Sequence, residues 1–229
     1  MGKDKVFFSL VGLPRSGTTI FTNVLNSWDD TFCISEPIWT LIESPNSFKT
    51  GKIDITFSEY SKVLPELRKY LDESDYKFGG IKETYRDFDD PNPIPFINKS
   101  TEIDLKIYVL RDPACNFAGW KRRAFKPIYN NVDVFIRNYN TIIRNIQHDR
   151  DKGMNTLVLQ YECITPEYIL EKLRPYYKAN SINLRPTGYV YGDQKANRSI
   201  EILPPNMDIT ALTNEEIDKL HESFGSKCR

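Results

Sequence analysis

Residues 12–19, Gly-Leu-Pro-Arg-Ser-Gly-Thr-Thr, have the frame of a phosphate-binding loop, with two glycines five positions apart. In loops that bind nucleoside triphosphates a lysine follows the second glycine, whereas this chain has Thr18. The cation is instead Arg15, and the backbone N–H groups of residues 16–19 are expected to face an anion at a helix N-terminus. The loop therefore predicts phosphate binding that does not depend on a triphosphate and its metal. A plain glycine turn with capping hydroxyls is the alternative.

Further candidate residues, Lys82, Arg111 and Tyr161, come directly after predicted strands or at their ends. Ligands of parallel sheets bind beyond the carboxyl ends of the strands, so we expect these side chains to share a cleft with the loop. Simpler explanations are a solvent-facing Lys82, an ordinary strand end at Tyr161, and an Arg111–Asp112 pair that caps the next helix. The basic run at residues 121–123 is expected to be a solvated helix end, where cations favour the helix dipole.

Four segments resemble, in order, the motifs of sulfotransferases that use 3′-phosphoadenosine 5′-phosphosulfate (PAPS). Pro-Arg-Ser-Gly-Thr-Thr at 14–19 resembles their 5′-phosphosulfate loop, and Tyr-Val-Leu-Arg-Asp-Pro at 108–113 resembles the strand and turn that open their 3′-phosphate motif. Leu-Val-Leu-Gln-Tyr-Glu at 157–162 resembles the next strand, and Gly-Asp-Gln-Lys-Ala-Asn-Arg-Ser at 192–199 resembles the late loop over the nucleotide. The resemblance spans residues 7–199 and is closer to the protein-tyrosine and bacterial-type subset.

This resemblance implies an enzyme that moves a sulfuryl group from PAPS to a hydroxyl or amine, without a metal. The residues that it assigns to donor binding are Pro14, Arg15, Ser16, Gly17, Thr18, Thr19, Arg111, Gly119, Tyr161, Lys195 and Arg198. Among them Arg111 matches the arginine that holds the 3′-phosphate. Gly119 stands where the family usually has a serine, so a backbone N–H, Arg122 or Arg123 is expected to replace that contact.

In-line transfer needs a base for the acceptor proton and a cation for the leaving oxygen, on opposite sides of sulfur. The chain has only two histidines, His148 and His221, and neither lies near a predicted strand end of the motif region. The resemblance makes Glu36 the base, with a helix-starting acidic residue as the alternative. It makes Arg15 and Lys82 the groups that stabilise the transferring group.

The elements that position these residues alternate between strand and helix. Strands are predicted at residues 6–11, 78–82, 103–110 and 156–160, and helices at 18–27, 59–73, 113–123, 132–148 and 166–176. This alternation predicts an α/β fold with one parallel sheet flanked by helices. The resemblance implies the P-loop nucleotide-hydrolase-like fold of sulfotransferases, as a single domain over residues 1–229. The proline-containing stretch 87–100 is predicted to be an irregular surface loop.

The composition is that of a globular protein with balanced charge, 31 Lys+Arg against 31 Asp+Glu in 229 residues. Zero net charge argues against a protein that coats nucleic acid or anionic membrane. The four cysteines, at 33, 115, 163 and 228, have no metal-site spacing and are expected to be reduced thiols. No apolar run approaches the roughly 18 residues of a membrane span, so the sequence predicts a cytoplasmic protein.

Two other functions stay open from the residues alone. A nucleotide or small-molecule kinase would use the same loop but lacks its lysine, and a non-catalytic nucleotide-binding module is favoured by Gly119. The acceptor is expected to be a small molecule, a carbohydrate or a peptide, and the oligomeric state is not indicated. Residues of this kind are more often core residues, but the aromatic candidates for an acceptor pocket are Phe32, Trp39, Phe88, Phe96, Trp120, Phe125 and Tyr129.

Overall fold

The computed structural model describes residues 5–43, 48–49, 53, 55–86, 93–122, 127–177 and 208–225. The strands are β1 (Val6–Gly12), β2 (Thr31–Ser35), β3 (Phe48–Lys49), β4 (Thr56–Phe57), β5 (Phe78–Thr84), β6 (Leu105–Leu110) and β7 (Thr156–Gln160). The α-helices are α1 (Thr18–Asn26), α2 (Pro37–Glu43), α3 (Val63–Glu73), α4 (Ile94–Lys99), α5 (Pro113–Lys121), α6 (Val132–Asp151), α7 (Pro166–Leu173) and α8 (Asn214–Phe224). Short 3-10 turns lie at Tyr60–Lys62, Pro127–Asn130 and Tyr161–Cys163.

A five-stranded parallel sheet with the order β2-β5-β1-β6-β7 forms the centre of the fold. The predicted α/β class, with one parallel sheet flanked by helices, is confirmed. Strand β1 is central, and its last residue Gly12 pairs with Thr84 on one side and Val109 on the other. This register brings the carboxyl ends of β1, β5 and β6 to the same end of the sheet. The short β3 and β4 form a separate antiparallel pair.

Helices cover both faces of this sheet, and β1 alternates between the two cores. Phe7 packs in a core with α2, α3, α5, α6 and α8, whereas Phe8 packs in the core with α1 and α7. Both phenylalanine side chains are fully buried. Burial of such a side chain contributes about 1.5–3 kcal/mol, so apolar packing stabilises both faces of the sheet. The two packed faces hold the strands in place, and polar groups can therefore be positioned at their carboxyl ends.

The structure also contains elements that the sequence does not predict. Strand β5 runs two residues beyond its predicted end, to Thr84, and β2 forms an edge of the sheet. Helix α4 lies inside the stretch 87–100, so the prediction that this stretch is irregular is wrong for residues 94–99. The short strands β3 and β4 and the helices α2 and α8 are also unpredicted, and a capping box fixes the start of α8. No helix in the described ranges is long and apolar enough to cross a membrane.

None of the cysteines that the structure describes forms a disulfide. Cys33 and Cys115 are buried and Cys163 is exposed. Cys228 lies outside the described residues.

Candidate functional site

The predicted phosphate loop joins the end of β1 to the start of α1, and close packing explains both of its glycines. A Cβ on Gly12 would stand 2.5 Å from the Ser16 hydroxyl, and one on Gly17 would stand 2.2 Å from the Tyr161 ring. Gly17 also has a φ of 97°, which favours glycine. Larger residues at either position would displace the loop or the side chains packed against it.

The interactions of the Ser16 N–H and of the loop hydroxyls differ from those expected from the sequence. The Ser16 N–H donates to the Leu13 carbonyl at 3.1 Å, so it closes a turn inside the loop and is not directed at an anion. In the part of the chain that the structure describes, no side chain caps α1, so the proposed capping by hydroxyls is also wrong. The N–H groups of Thr18 and Thr19 lie in the first turn of this helix, where backbone donors have no partner within the helix.

Helix α5 supports the loop from below. The Asn116 amide and the Trp120 indole N–H both donate to the Pro14 carbonyl, at 2.8 and 2.6 Å. Asp112 caps this helix by accepting from the Cys115 N–H at 3.0 Å, as the simpler explanation of this residue predicted. Two donors on one carbonyl fix the loop relative to α5.

Arg111 lies beside the loop, at the end of β6. Its Nη1 donates to the Arg15 carbonyl at 3.0 Å, and its Cζ lies 4.5 Å from the centre of the Tyr161 ring. Arg15 has a φ of 65°, unusual for a residue with a side chain. A Cβ on Gly119 would stand 3.1 Å from Arg15 Cβ and 3.5 Å from Arg111 Nη1. Glycine at this position therefore leaves room for both arginines.

A cavity of about 400 Å³ opens in front of the loop. The residues that line it are Pro14, Arg15, Thr18, Thr19, Glu36, Lys82, Thr84, Arg86, Trp120 and Tyr129. The first six are predicted site residues, so the structure brings the loop, the expected base and the expected lysine together. Arg111, Gly119 and Tyr161 form a second group that is joined to this cavity through Arg15.

Glu36 and Lys82 are in direct contact in this cavity. The Lys82 ammonium donates to Glu36 Oε1 at 2.7 Å, and the Thr84 hydroxyl donates to the same oxygen. The Arg86 guanidinium lies 3.8 Å from it. Lys82 is only 2% exposed, so the solvent-facing explanation for this lysine is wrong.

The pKa of Glu36 results from opposing effects. Burial raises it, but the charge and hydrogen bond of Lys82, the Thr84 hydroxyl and the Arg86 charge together bring it below the usual glutamate value. Glu36 is therefore ionised at neutral pH. Glu36 and Lys82 bind each other in this structure, and their placement on opposite sides of sulfur stays a prediction.

Backbone geometry holds Glu36 in place. Its φ is 52°, and its N–H donates to the Lys82 carbonyl at 2.6 Å. The Glu36 carbonyl accepts from the Thr40 N–H at 2.9 Å, so this residue also starts α2, as the helix-starting alternative predicted. Both interpretations of Glu36 are therefore compatible with its position.

Several candidate cations lie away from the cavity or outside the described residues. Lys121 donates twice to Glu216, at 2.9 and 2.8 Å, and Arg122 lies 3.3 Å from Asp208. Lys121 is half-buried and bound to Glu216, so the expectation of a solvated helix end is wrong for this residue, whereas Arg122 is exposed as expected. The predicted residues outside the described ranges are Arg123, Lys195 and Arg198. The histidines lie on α6 and α8 and do not line the cavity.

Thr84 and Arg86 also line the cavity, although the sequence does not predict either of them as a site residue. Thr84 lies beyond the predicted end of β5, and Arg86 has no motif around it. Its guanidinium stacks on the Trp39 ring, with 4.5 Å between Cζ and the ring centre. Of the aromatic candidates for an acceptor pocket, Trp120 and Tyr129 line the cavity, Phe32 is a core residue, and Phe88 and Phe125 lie outside the described residues.

Comparisons with known proteins give a similarity in structure only. No protein-family model and no curated protein matches the chain. Among solved structures, mouse sulfotransferase SULT7A1 complexed with PAP aligns over 98% of this chain and 85% of that one. The identity is 14% and the TM-score is 0.45, values that assign no role to any residue of this chain.

Proposed function

We propose that this protein is a sulfotransferase that moves a sulfuryl group from PAPS to a hydroxyl or amine acceptor. The observation that carries the proposal is the contact between Glu36 and Lys82, at 2.7 Å, beside a phosphate loop that has no lysine after its second glycine. A carboxylate at this place can accept the proton of an acceptor group. A kinase loop, in contrast, needs the missing lysine for its β- and γ-phosphates.

Two sets of groups fit the two charged ends of the donor. The first-turn N–H groups of α1, at Thr18 and Thr19, and the Arg15 side chain line the cavity and bind the 5′ end. Arg111, stacked on the Tyr161 ring, binds the 3′-phosphate, because a guanidinium can donate to two phosphate oxygens at once. The contributions of Lys195 and Arg198 remain predictions from the sequence.

The reaction transfers sulfur from the phosphate oxygen to the acceptor. Glu36 accepts the acceptor proton, and Lys82 stabilises the negative charge that grows on the bridging oxygen as its bond to sulfur breaks. Because Lys82 contacts Glu36 in the structure, it must leave this carboxylate to reach the donor. Loss of this cation raises the pKa of Glu36, so the base becomes stronger when the donor is bound.

Titration calorimetry with 3′-phosphoadenosine 5′-phosphate (PAP) in the presence of EDTA tests donor binding. We expect PAP to bind without magnesium and Arg111→Ala to weaken its affinity at least tenfold. Arg144→Ala, an exposed α6 arginine, is the matched control and should leave the affinity unchanged. Magnesium-dependent binding of ATP in place of PAP would support the kinase and contradict the proposal.

Transfer itself is measured with PAPS labelled in the sulfuryl group. A phenol, an amine, a monosaccharide and a tyrosine peptide are offered as acceptors, and label should appear on at least one. Lys82→Ala and Arg15→Ala should abolish this transfer. PAP binding by the wild-type protein with no labelled product from any acceptor class would support a non-catalytic nucleotide-binding module instead.

A further inference from the structure

Glu83 is a buried carboxyl group directly behind the candidate site, between Lys82 and Thr84 on β5. Its relative exposure is 0%, although an acidic side chain is rarely buried without a strong partner. It does not line the cavity and has no part in the reaction described above.

This carboxyl group binds the first turn of α2. Its Oε1 accepts from the Ile38 N–H at 2.7 Å and from the Trp39 N–H at 3.4 Å. These are the second and third residues of α2, which starts immediately after Glu36. Glu83 therefore satisfies backbone donors that have no partner within the helix.

Helix α2 needs this support because it has only seven residues. Helices of this length are not stable in isolation, so contacts from the rest of the fold must fix its start. Glu36 itself has a φ of 52°, a conformation that persists in a residue with a side chain only where its surroundings impose it. The end of β5 binds the chain on both sides of this turn. Lys82 and Thr84 bind the Glu36 side chain, and Glu83 binds the first turn of α2.

Glu83 and Glu36 carry different charges at neutral pH. Burial, and then the negative charge of Glu36, raises the pKa of Glu83 to about 8, although Lys82 and the two N–H groups oppose this effect. The other oxygen, Oε2, is buried and has no hydrogen-bond partner among the residues that the structure describes. Because a neutral Glu83 does not compete for the positive charge of Lys82, this ammonium pairs with the Glu36 carboxylate.

We infer, on the basis of the proposed function, that Glu83 is a positioning residue: its buried carboxyl group anchors the start of α2 and so holds the Glu36 carboxylate against Lys82. Glu83 touches neither donor nor acceptor, and its effect on the reaction passes through Glu36.

The experiment compares Glu83→Gln, which keeps an oxygen acceptor of the same length, with Glu83→Leu, which has none. The ¹³C shift of the Glu36 carboxyl is followed from about pH 2.5 to 7.5, over which the protein's fold is monitored by circular dichroism. In the wild-type protein and in Glu83→Gln this signal should titrate below the usual glutamate range, whereas in Glu83→Leu the midpoint should rise by at least one pH unit. Exchange of the Ile38 and Trp39 amides should be at least tenfold faster in Glu83→Leu only.

Controls separate positioning from general loss of stability. Asp149→Asn alters another buried carboxylate, far along the chain from the site, and should not move the Glu36 midpoint. If Glu83→Leu does not fold, Glu83→Asn, which is shorter by one methylene, takes its place with the same expected shift. An unchanged Glu36 midpoint in Glu83→Leu or Glu83→Asn, or an equal shift in Asp149→Asn, would overturn the inference.

Turnover with labelled PAPS connects this effect to the reaction. Glu83→Leu should lower turnover at least tenfold, because a displaced Glu36 no longer faces the acceptor even though its carboxylate becomes more basic. The dissociation constant of PAP should stay within twofold, and Glu83→Gln should keep wild-type turnover. Weaker PAP binding without a change in turnover would contradict the positioning role. If the wild-type protein binds no PAP, the proposed function fails, but the Glu36 midpoint and the amide exchange still decide whether Glu83 positions Glu36.

Discussion

Glu36 keeps its negative charge in a largely buried position because three groups of the β5 segment face one of its oxygens. The same contacts that lower its pKa make it a weak base until the cation contacts change. Under the proposed function, Glu36 accepts no proton while Lys82 is bound to it. We therefore expect an anion that binds Lys82 in the cavity to raise the pKa of Glu36.

Replacement of Glu36 by glutamine tests its role as the base. We expect Glu36→Gln to lower turnover by about 10²–10⁴-fold, the usual contribution of a general base. PAP affinity should stay the same or increase, because a negative charge next to the anion is removed. Single-turnover assays and calorimetry measure the two effects, with exposed Glu66→Gln as the control. Weaker PAP binding at unchanged turnover would show that Glu36 is not the base.

Glu83 should make the stability of the protein depend on pH. Its folded pKa, about 8, lies above the unfolded value of 4.5, so the folded state holds more protons between these limits. The free energy of unfolding should therefore fall as pH rises from about 4.5 to 8, by at most about 5 kcal/mol from this group. Urea denaturation at pH 5, 6.5 and 8 measures the slope. Glu83→Gln should have a flatter slope, and an identical slope in both proteins would contradict the raised pKa.

Helix α5 combines structural support with space for the site. Its polar side chains hold the Pro14 carbonyl, while Gly119 admits the side chains of Arg15 and Arg111. A glycine inside a helix destabilises it by about 1 kcal/mol relative to alanine. At Gly119 this loss of helix stability accompanies the close approach of the two arginines to α5.

Gly119→Ala separates these two effects. The added Cβ would stand 3.1 Å from Arg15 Cβ, so Arg15 must move by a few tenths of an ångström. We expect PAP affinity to fall several-fold, whereas the free energy of unfolding should change by less than about 1 kcal/mol because higher helix propensity offsets the crowding. Calorimetry and urea denaturation measure the two quantities. Unchanged PAP affinity would mean that Arg15 and Gly119 do not need this close contact.

The elements that the sequence predicts are those with a strong local pattern. The apolar runs of β1, β6 and β7 and the long apolar stripe of α6 are confirmed within a few residues. Strand β2 has five residues and α2 has seven, which is too few to establish a period. Helix α8 did carry a detectable signal, a threonine at 213 followed by a glutamate three residues later.

The candidate site residues that the sequence predicts also belong to local patterns. Arg15, Lys82 and Arg111 belong to motifs or strand ends, and the topology explains why they converge. Arg86 reaches the cavity through a contact with Trp39 that is 47 positions away in the chain, and no local pattern specifies it. The contact between Glu36 and Lys82 likewise depends on the pairing of β2 with β5, which requires the fold.

Across the whole molecule, the two ends of the sheet differ in their polar groups. The candidate site lies at the carboxyl ends of the strands, whereas a buried pair of Lys106 and Asp149, at 2.8 Å, lies near the start of β6. Asp149 also accepts from the Tyr108 hydroxyl at 2.6 Å, which joins β6 to the end of α6. These partners are satisfied by one another and contribute to the fold far from the cavity.

Asp149→Asn should therefore change stability and leave ligand binding intact. Loss of one partner of a buried ion pair leaves the Lys106 charge uncompensated and costs about 3–5 kcal/mol. We expect this loss in urea denaturation, together with an unchanged dissociation constant for PAP, because distant sites contribute independently. A parallel loss of PAP affinity would show that the two ends of the sheet are coupled.

The positive φ angles of Arg15 and Glu36 have a consequence for directed evolution. Among the residues that the structure describes, these are the positions other than glycine that adopt this conformation. The left-handed region costs a residue with a Cβ roughly 1–2 kcal/mol, so glycine at position 15 would relieve strain while removing the cation. A library selected for thermal stability alone would thus enrich glycine at this position, and under the proposed function these variants would lack the cation that binds the donor. Stabilising campaigns on this scaffold should keep both residues fixed and search elsewhere.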